Sequence, residues 1–541
     1  MNLIDDSWLP FRKRDGSIEY LPVGAVVEPD VVDLALPRGD FQGAAYQFLI
    51  GLLQTTFAPE DKQQWAERYE QPPSSSELAG ALQEARGAFD LDVAGPAFMQ
   101  DLEALDGEKQ SPVAGLLIDA PGASTIKNNT DHFVKAGRTR QICPDCAAMA
   151  LFTLQINAPS GGKGHRTGLR GGGPLTTLVM PDDAEASLWQ KLWLNVVDRE
   201  TWGYESPDYG DRDVFPWLGQ TRISDKGQMV TPDDVHPLHA HWAMPRRIRL
   251  EIEEEACRCD LCGRDAVRRV RHIRARNYGY NYEGPWTHPL TPYRFDPQKP
   301  EQLPYSRKAQ KDGLGYRHWE SLVLADKQEA GNLPAPVVLD YAEKYRAARD
   351  YDLALPRTAR IWVFGYDMDN MKARGWYGAH MPLVALPRER QAVLQAWLRQ
   401  TVDLTRSAAS LLQTHIKEAW FSKPKDIKGD TSFLTASLWD ATEQDFYQLL
   451  AALGELLAEE GGGGDLRHFP GALAAQWYRT ITGRAYQLFD DYALSGPAEQ
   501  LDMKRIIATR NAFSKKLFGG KEAKAFRKVG GLEGNDAEKA A

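Results

Sequence analysis

Cysteine is scarce in this chain, five in 541 residues, too few for the disulfide framework that staples small secreted domains. Long apolar runs are missing too. The most apolar early stretch, "YQFLIGLLQTTF" from Tyr46 to Phe57, falls short of the ~20 residues a membrane-spanning helix needs. The charged N-terminus lacks the layout of a signal peptide. No membrane partner is therefore expected, and the expected location is cytoplasmic. Net positive charge is also lacking: the formal charge is -9 and the pI about 5.8. That excludes a free-standing protein that coats nucleic acid through bulk charge, so any such contact must come from local patches. No G-x-S-x-G and no H-E-x-x-H occurs, so the residues announce no catalyst.

What is present is ordinary globular material, 43% hydrophobic and 26% charged, on a chain long enough for two or more domains. The first 370 or so residues mix short patterns. "RRIRLEIE", Arg246 to Glu253, alternates Ile248, Leu250 and Ile252 with charges and predicts a half-buried strand. "PLTTLVM" and "RIWVFGY" read the same way, and Cys146 to Ala158 predicts a short helix. From Pro387 the texture becomes helical, with Leu394, Leu398, Val402, Leu412 and Ile416 on one face. Three more helices are predicted over Asp440 to Glu460, Pro470 to Leu494 and Ala498 to Phe518, with Asp440 and Glu443 as a capping box. The expected fold class is α+β: a large irregular mixed domain over 1–375 with a zinc-ribbon-like clip, then a C-terminal four-helix bundle over 376–541 with a basic tail.

Cys143-x-x-Cys146 and Cys259-x-x-Cys262 each have the spacing of two thiolate ligands on one tetrahedral zinc, with 112 residues between the pairs and Cys257 to spare. A structural zinc is the expected cofactor; the alternative is that one pair is merely buried. "SGGKGHRTGLRGGG" matches neither the P-loop nor the dinucleotide fingerprint. Its glycines let backbone approach a ligand and its cations suit phosphate, but a flexible turn reads equally well. "GRDAVRRVRHIRARN", Gly263 to Asn277, holds six arginines against one acid. As a strand it would put Arg268, His272, Arg274 and Arg276 on one face, either a nucleic-acid groove or a solvated edge. Asp233, His236, His239 and His241 offer the donor types of a hydrolytic metal site, the basis of an alternative reading as a metal-dependent nuclease or hydrolase.

Taken in order, "MNLIDDSWLPFRKRDG", "LALPRGD", "CPDCAAMALF", "NAPSGGKGHRTGLRGG" and "WTHPLTP" resemble the large subunit, the CasA family, of the type I-E CRISPR Cascade surveillance complex. The resemblance covers nearly the whole chain. It implies a non-catalytic subunit that recognises the protospacer-adjacent motif in foreign double-stranded DNA, helps initiate the R-loop and recruits a helicase-nuclease. The implied partners are a CRISPR guide RNA, the other Cascade subunits, the target DNA and that nuclease. The family's glycine loop, which meets the motif from the minor groove, falls on Ser160, Gly161, Gly162 and Lys163. Its Phe-Val-Asn loop falls on Phe133, Val134 and Lys135, where lysine replaces asparagine. Its strand-splitting wedge falls on Asp369, Asn370 and Met371. Its lysine finger falls on Asn277, beside Arg274 and Arg276.

Overall fold

The structure, a computed structural model, describes residues 1–131, 134–311, 313–369, 371–426, 428–458, 468–497, 499 and 501–532. The chain forms two compact units, Met1–Lys311 with Ala325–His380, and Asp312–Leu324 with Met381–Ala541.

The first unit is built on a buried helix. The apolar run too short for a membrane lies in α1 (Gly39–Thr56), where nearly every residue is buried. Phe48 on α1 meets Phe89, Phe98, Phe152 and Trp242 edge-on, with ring centroids 5.6 to 6.0 Å apart. Each such side chain contributes roughly 1.5–3 kcal/mol by leaving water. Phe152 belongs to α2 (Pro144–Asn157), which packs on α1 and is also buried almost throughout. Among the described residues, no helix is long and apolar enough to cross a membrane.

Short sheets surround these helices. Strands β1 (Leu9–Lys13), β2 (Ile18–Leu21) and β3 (Val31–Leu34) form a sheet in the order β2-β1-β3. β4 (Ser111–Pro112), β6 (Arg247–Glu253) and β9 (Arg269–Arg276) form another in the order β4-β9-β6, so the alternating "RIRLEIE" is the strand its pattern predicts. β7 (Cys257–Arg258) and β8 (Asp265–Ala266) make a small hairpin between them in sequence. β5 (Thr176–Pro181) pairs antiparallel with β13 (Thr358–Asp369), which pairs in turn with β14 (Lys372–Val384). β10 (Tyr293–Arg294), β11 (Tyr305–Ser306) and β12 (Asn332–Leu333) form a fourth three-stranded sheet.

The second unit is helical. α3 (Arg388–Trp420) starts directly after Pro387, whose fixed φ suits a helix start, and buries Leu394, Leu398, Val402, Leu412 and Ile416 as expected. α4 (Phe433–Ala458), α5 (Gly471–Ala493) and α6 (Met503–Gly519) each pack on α3, giving the four long helices. α7 (Lys521–Val529) adds a short fifth. One detail departs from expectation. α4 starts seven residues before Asp440, because Leu434, Leu438 and Trp439 extend its buried stripe, so Asp440 and Glu443 cap nothing. The two units divide inside β14, between His380 and Met381, and the strand runs on to Val384 before the helices begin. The second unit also recruits Asp312–Leu324: Tyr316 stacks 4.3 Å from Phe446 and bonds Thr442 at 2.8 Å, and Trp319 donates to the Pro382 carbonyl.

Candidate metal centre and nucleic-acid interface

Cys143 is the N-cap of α2, with Pro144 in the first turn and its sulfur accepting the Cys146 backbone N–H at 3.4 Å. One helical turn thereby aims both sulfurs the same way. The other pair sits in the β7–β8 turn, closed by Cys259 N–H to Arg264 O at 2.8 Å and Gly263 N–H to Cys259 O at 2.9 Å. The two limbs meet because Ile142 and Val270 exchange backbone hydrogen bonds at 3.0 and 2.8 Å. The Asp260 carboxylate also accepts from the backbones of Arg140 and Gln141. All four sulfurs lie within 4.8 Å of one another, and Cys143 and Cys262 are 3.8 Å apart. Tetrahedral zinc with ~2.3 Å bonds has sulfur–sulfur edges of about 3.8 Å. Hydrogen bonds from Cys143 and Cys146 pull Cys259 down and bring Cys262 to about 7, while the bond to Cys143 and then those to Cys259 and Cys262 push Cys146 up. Cys143 and Cys146 therefore keep protons that they share with the more acidic Cys259 and Cys262, and a cation bound by all four would displace them. The residues fit the metal, and a four-thiolate site leaves no position open for chemistry. Cys257 stays outside the set, near the Arg268 carbonyl.

The glycine segment leaves the C-terminal end of α2 and enters β5. Its roots are fastened: Gly168 N–H donates to Ala158 O at 3.0 Å and Gly173 N–H to Asn157 O at 3.2 Å. Arg170 does not face a ligand. It is buried, donating to Thr176, Thr291, Gln47 and the Ile156 carbonyl, and burial pushes it down to about 10. Ser160, Gly161, Gly162 and Lys163 are exposed at the tip. Gly162 has φ +95, a conformation that other residues adopt only under strain. At Gly164 a Cβ would stand 2.7 Å from Asn277 Cβ, so only glycine admits that approach. The structure thus brings Asn277 to the loop: its side-chain amide donates to Lys163 O at 3.0 Å, and Tyr278 N–H donates to Gly164 O at 2.8 Å.

The arginine stripe runs into the strand β9, but most of its charge is spent. Arg274 pairs with Glu251 at 2.6 Å, and Arg276 with Glu103 at 2.6 Å and Glu108 at 2.7 Å. Arg269 pairs with Glu253 at 2.8 Å, Arg264 with Asp145 at 3.1 Å, and Arg268 with Asp92. A bulge between Glu251 and Ile252 leaves Arg271 unpaired in the ladder and shifts the parity. The charged face therefore carries Arg269, His272, Arg274 and Arg276, and Arg268 precedes the strand. Glu251 and Glu253 come from the neighbouring strand β6 and the other four acids from more than a hundred residues away, so a count within the arginine stretch could not find them.

The β13–β14 hairpin presents its turn at the proposed wedge. Buried Asp367 takes a two-pronged bond from Arg374 at 2.8 and 2.7 Å, and Asp369 lies 3.8 Å from the same guanidinium. Met371 is 53% exposed; Asn370 lies outside the described residues. Val134 is half-buried and Lys135 exposed, its ammonium 3.9 Å from Asp131, while Phe133 lies outside the described residues. Asp233, His236, His239 and His241 do not converge: among the described residues the four cysteines alone form a metal-sized cluster. His239 is buried between Asp213 O and the Tyr282 hydroxyl, and His236 bonds Glu205 O and the Leu238 N–H. Burial pushes His239 and His241 down to about 3, leaving neutral core rings.

Residues 2–488 match the family described as CRISPR-associated protein Cse1. The chain belongs to the Cse1 family. Its fold agrees with solved structures across nearly their full length. Thermus thermophilus CasA (Cse1) is 18% identical with TM-score 0.70, covering 96% of this chain and 99% of that one. Cse1 from Acidimicrobium ferrooxidans is 18% identical with TM-score 0.69, covering 98% and 99%. A chain of a CRISPR RNA-guided surveillance complex is 15% identical with TM-score 0.63, covering 96% and 99%. Missed in the sequence were Ser224 and Tyr278, which adjoin the glycine loop, and the bonding of Arg166 to Ser224; the adjoining Asn277-Tyr278-Gly279 step was the available signal.

Proposed function

We propose that this Cse1-family chain is the non-catalytic large subunit of a cytoplasmic CRISPR RNA-guided complex, and that it reads the protospacer-adjacent motif in double-stranded DNA. The exposed tip Ser160–Lys163, with bare backbone, one ammonium and roots fastened at both ends, carries this reading. A side-chain-free turn enters a minor groove without steric conflict, and that groove's degenerate pattern suits tolerant recognition. The hairpin tip at Asp369–Met371 then wedges the first target base pair apart to begin the R-loop, an exposed methionine being able to unstack a base step. Guide RNA pairing supplies sequence specificity, and partner subunits supply most of the affinity, which an acidic chain does not need to provide. Recruitment of the helicase-nuclease follows motif recognition. The metal-dependent nuclease reading has lost its donor set, since the rings of His236 and His239 are engaged elsewhere.

Gly161→Asp or Gly162→Asp places bulk and negative charge at the tip. In the assembled complex, gel-shift affinity for a motif-bearing target falls by about 10³-fold, to the level of non-specific duplex. Unchanged affinity for that target refutes the assignment.

A further inference from the structure

The glycine loop is held by Arg166 of its own sequence together with residues outside it. Arg166 lies just beyond the tip, and a cation there invites a phosphate-contact reading. Its geometry says otherwise. Arg166 Nε donates to the Ser224 hydroxyl at 2.8 Å and Nη2 to the Ser224 carbonyl at 2.7 Å. Ser224 in turn donates through its hydroxyl to Gly279 O at 2.7 Å and through its N–H to Tyr278 O at 3.2 Å. Tyr278 closes the circuit by donating its N–H to Gly164 O, while its ring lies 5.9 Å from the Arg166 guanidinium. Tyr278 has φ +64, left-handed backbone in a residue that rarely adopts it. Such a conformation persists only where its surroundings enforce it, and here the enforced element is the loop.

We infer that Arg166, Ser224, Tyr278 and Asn277 form a closed brace that positions the glycine loop for DNA, with Arg166 acting through its fork on Ser224 rather than on phosphate. This rests on the loop's proposed role as the motif reader. Asn277, at the position the resemblance gives to a lysine finger, is a positioning residue here: its amide holds the Lys163 carbonyl.

The deciding comparison is Arg166→Lys against Arg166→Gln, with Ser224→Ala as an independent break, all in the assembled complex. A lysine keeps the charge but cannot make the two-pronged bond to Ser224. The brace predicts that all three variants speed hydrogen exchange at Gly161–Gly164 without DNA. With DNA they reduce the preference for motif-bearing over scrambled flanks by about tenfold, the order of one misread base pair. The salt dependence of non-specific binding stays unchanged. If Arg166→Lys binds as wild type while Arg166→Gln flattens the log–log salt slope by about 0.9, Arg166 is a phosphate contact and the brace is wrong. Wild-type exchange in all three variants overturns it equally. A wild-type complex with no flank preference, whose variants still free the loop amides, would leave the brace standing and remove the reading function.

Discussion

Lys344 is wholly enclosed, its ammonium donating to the carbonyls of Leu194 and Val196 at 2.9 Å each, 3.2 Å from Asp340 and 4.7 Å from the centre of the Trp65 ring. Burial pushes its pKa down to about 8. Neighbouring Lys62 is raised, because Asp340 and Asp198 outweigh its burial, so it stays charged wherever Lys344 titrates. An unfolded lysine titrates near ~10.4, so between about pH 8 and that value the unfolded chain holds a proton the folded chain has released. Stability contributed by this site therefore rises with pH across that window. The Tm of wild type minus that of Lys344→Met should grow from pH 7.5 to 9.5; a constant difference contradicts the assignment. Legibility at this scale followed locality. Cys143, Cys146 and the Gly162 turn were readable because their partners lie within a few residues. The carboxylates on Arg274 and Arg276, and the Ser224 that holds Arg166, come from distant segments and leave no local trace.

At the scale of elements, the cysteine clip joins a helix start to a two-stranded turn across a long stretch of intervening chain. Spacing alone made each half visible; the pairing of Ile142 with Val270 that joins them was not. The purified chain is expected to hold one zinc. Cys259→Ser or chelation should release it and lower Tm by about 10 °C, the effect of roughly 5 kcal/mol at about 2 °C per kcal/mol in a unit this large. Elemental analysis alongside calorimetry checks both; full stability without metal argues for the buried-thiol alternative. The hairpin makes a different demand. Arg374 and Asp367 stiffen the strands just behind the turn, as a wedge requires. Met371→Ala should leave initial DNA capture within about twofold, yet slow opening of the first target pair about tenfold, the scale of one lost unstacking contact. A fluorescent base at that position reports the rate, and wild-type opening would remove the wedge. The four long helices were legible because their buried stripes persist over many turns, whereas α4's true start was obscured by an attractive but internal Asp440–Glu443 pair.

At the scale of the molecule, an acidic chain carries an arginine-rich strand whose cations are largely neutralised by its own carboxylates. On the proposed reading, such a protein is expected to bind DNA weakly by itself and to contribute discrimination, the partner subunits supplying most of the affinity. The α+β-then-helical order was legible from texture, while the recruitment of Asp312–Leu324 to the helical unit was not, because Tyr316 meets Phe446 across more than a hundred residues. The most direct test of the central claim is selection from a duplex library in which the guide-matched segment is constant and the adjoining bases are randomised. Complexes assembled with and without this chain are compared. With it, a short adjoining sequence should be enriched, and without it, or with Gly162→Asp, the flank should stay random. Equal enrichment in the absence of the chain would show that the motif is read elsewhere.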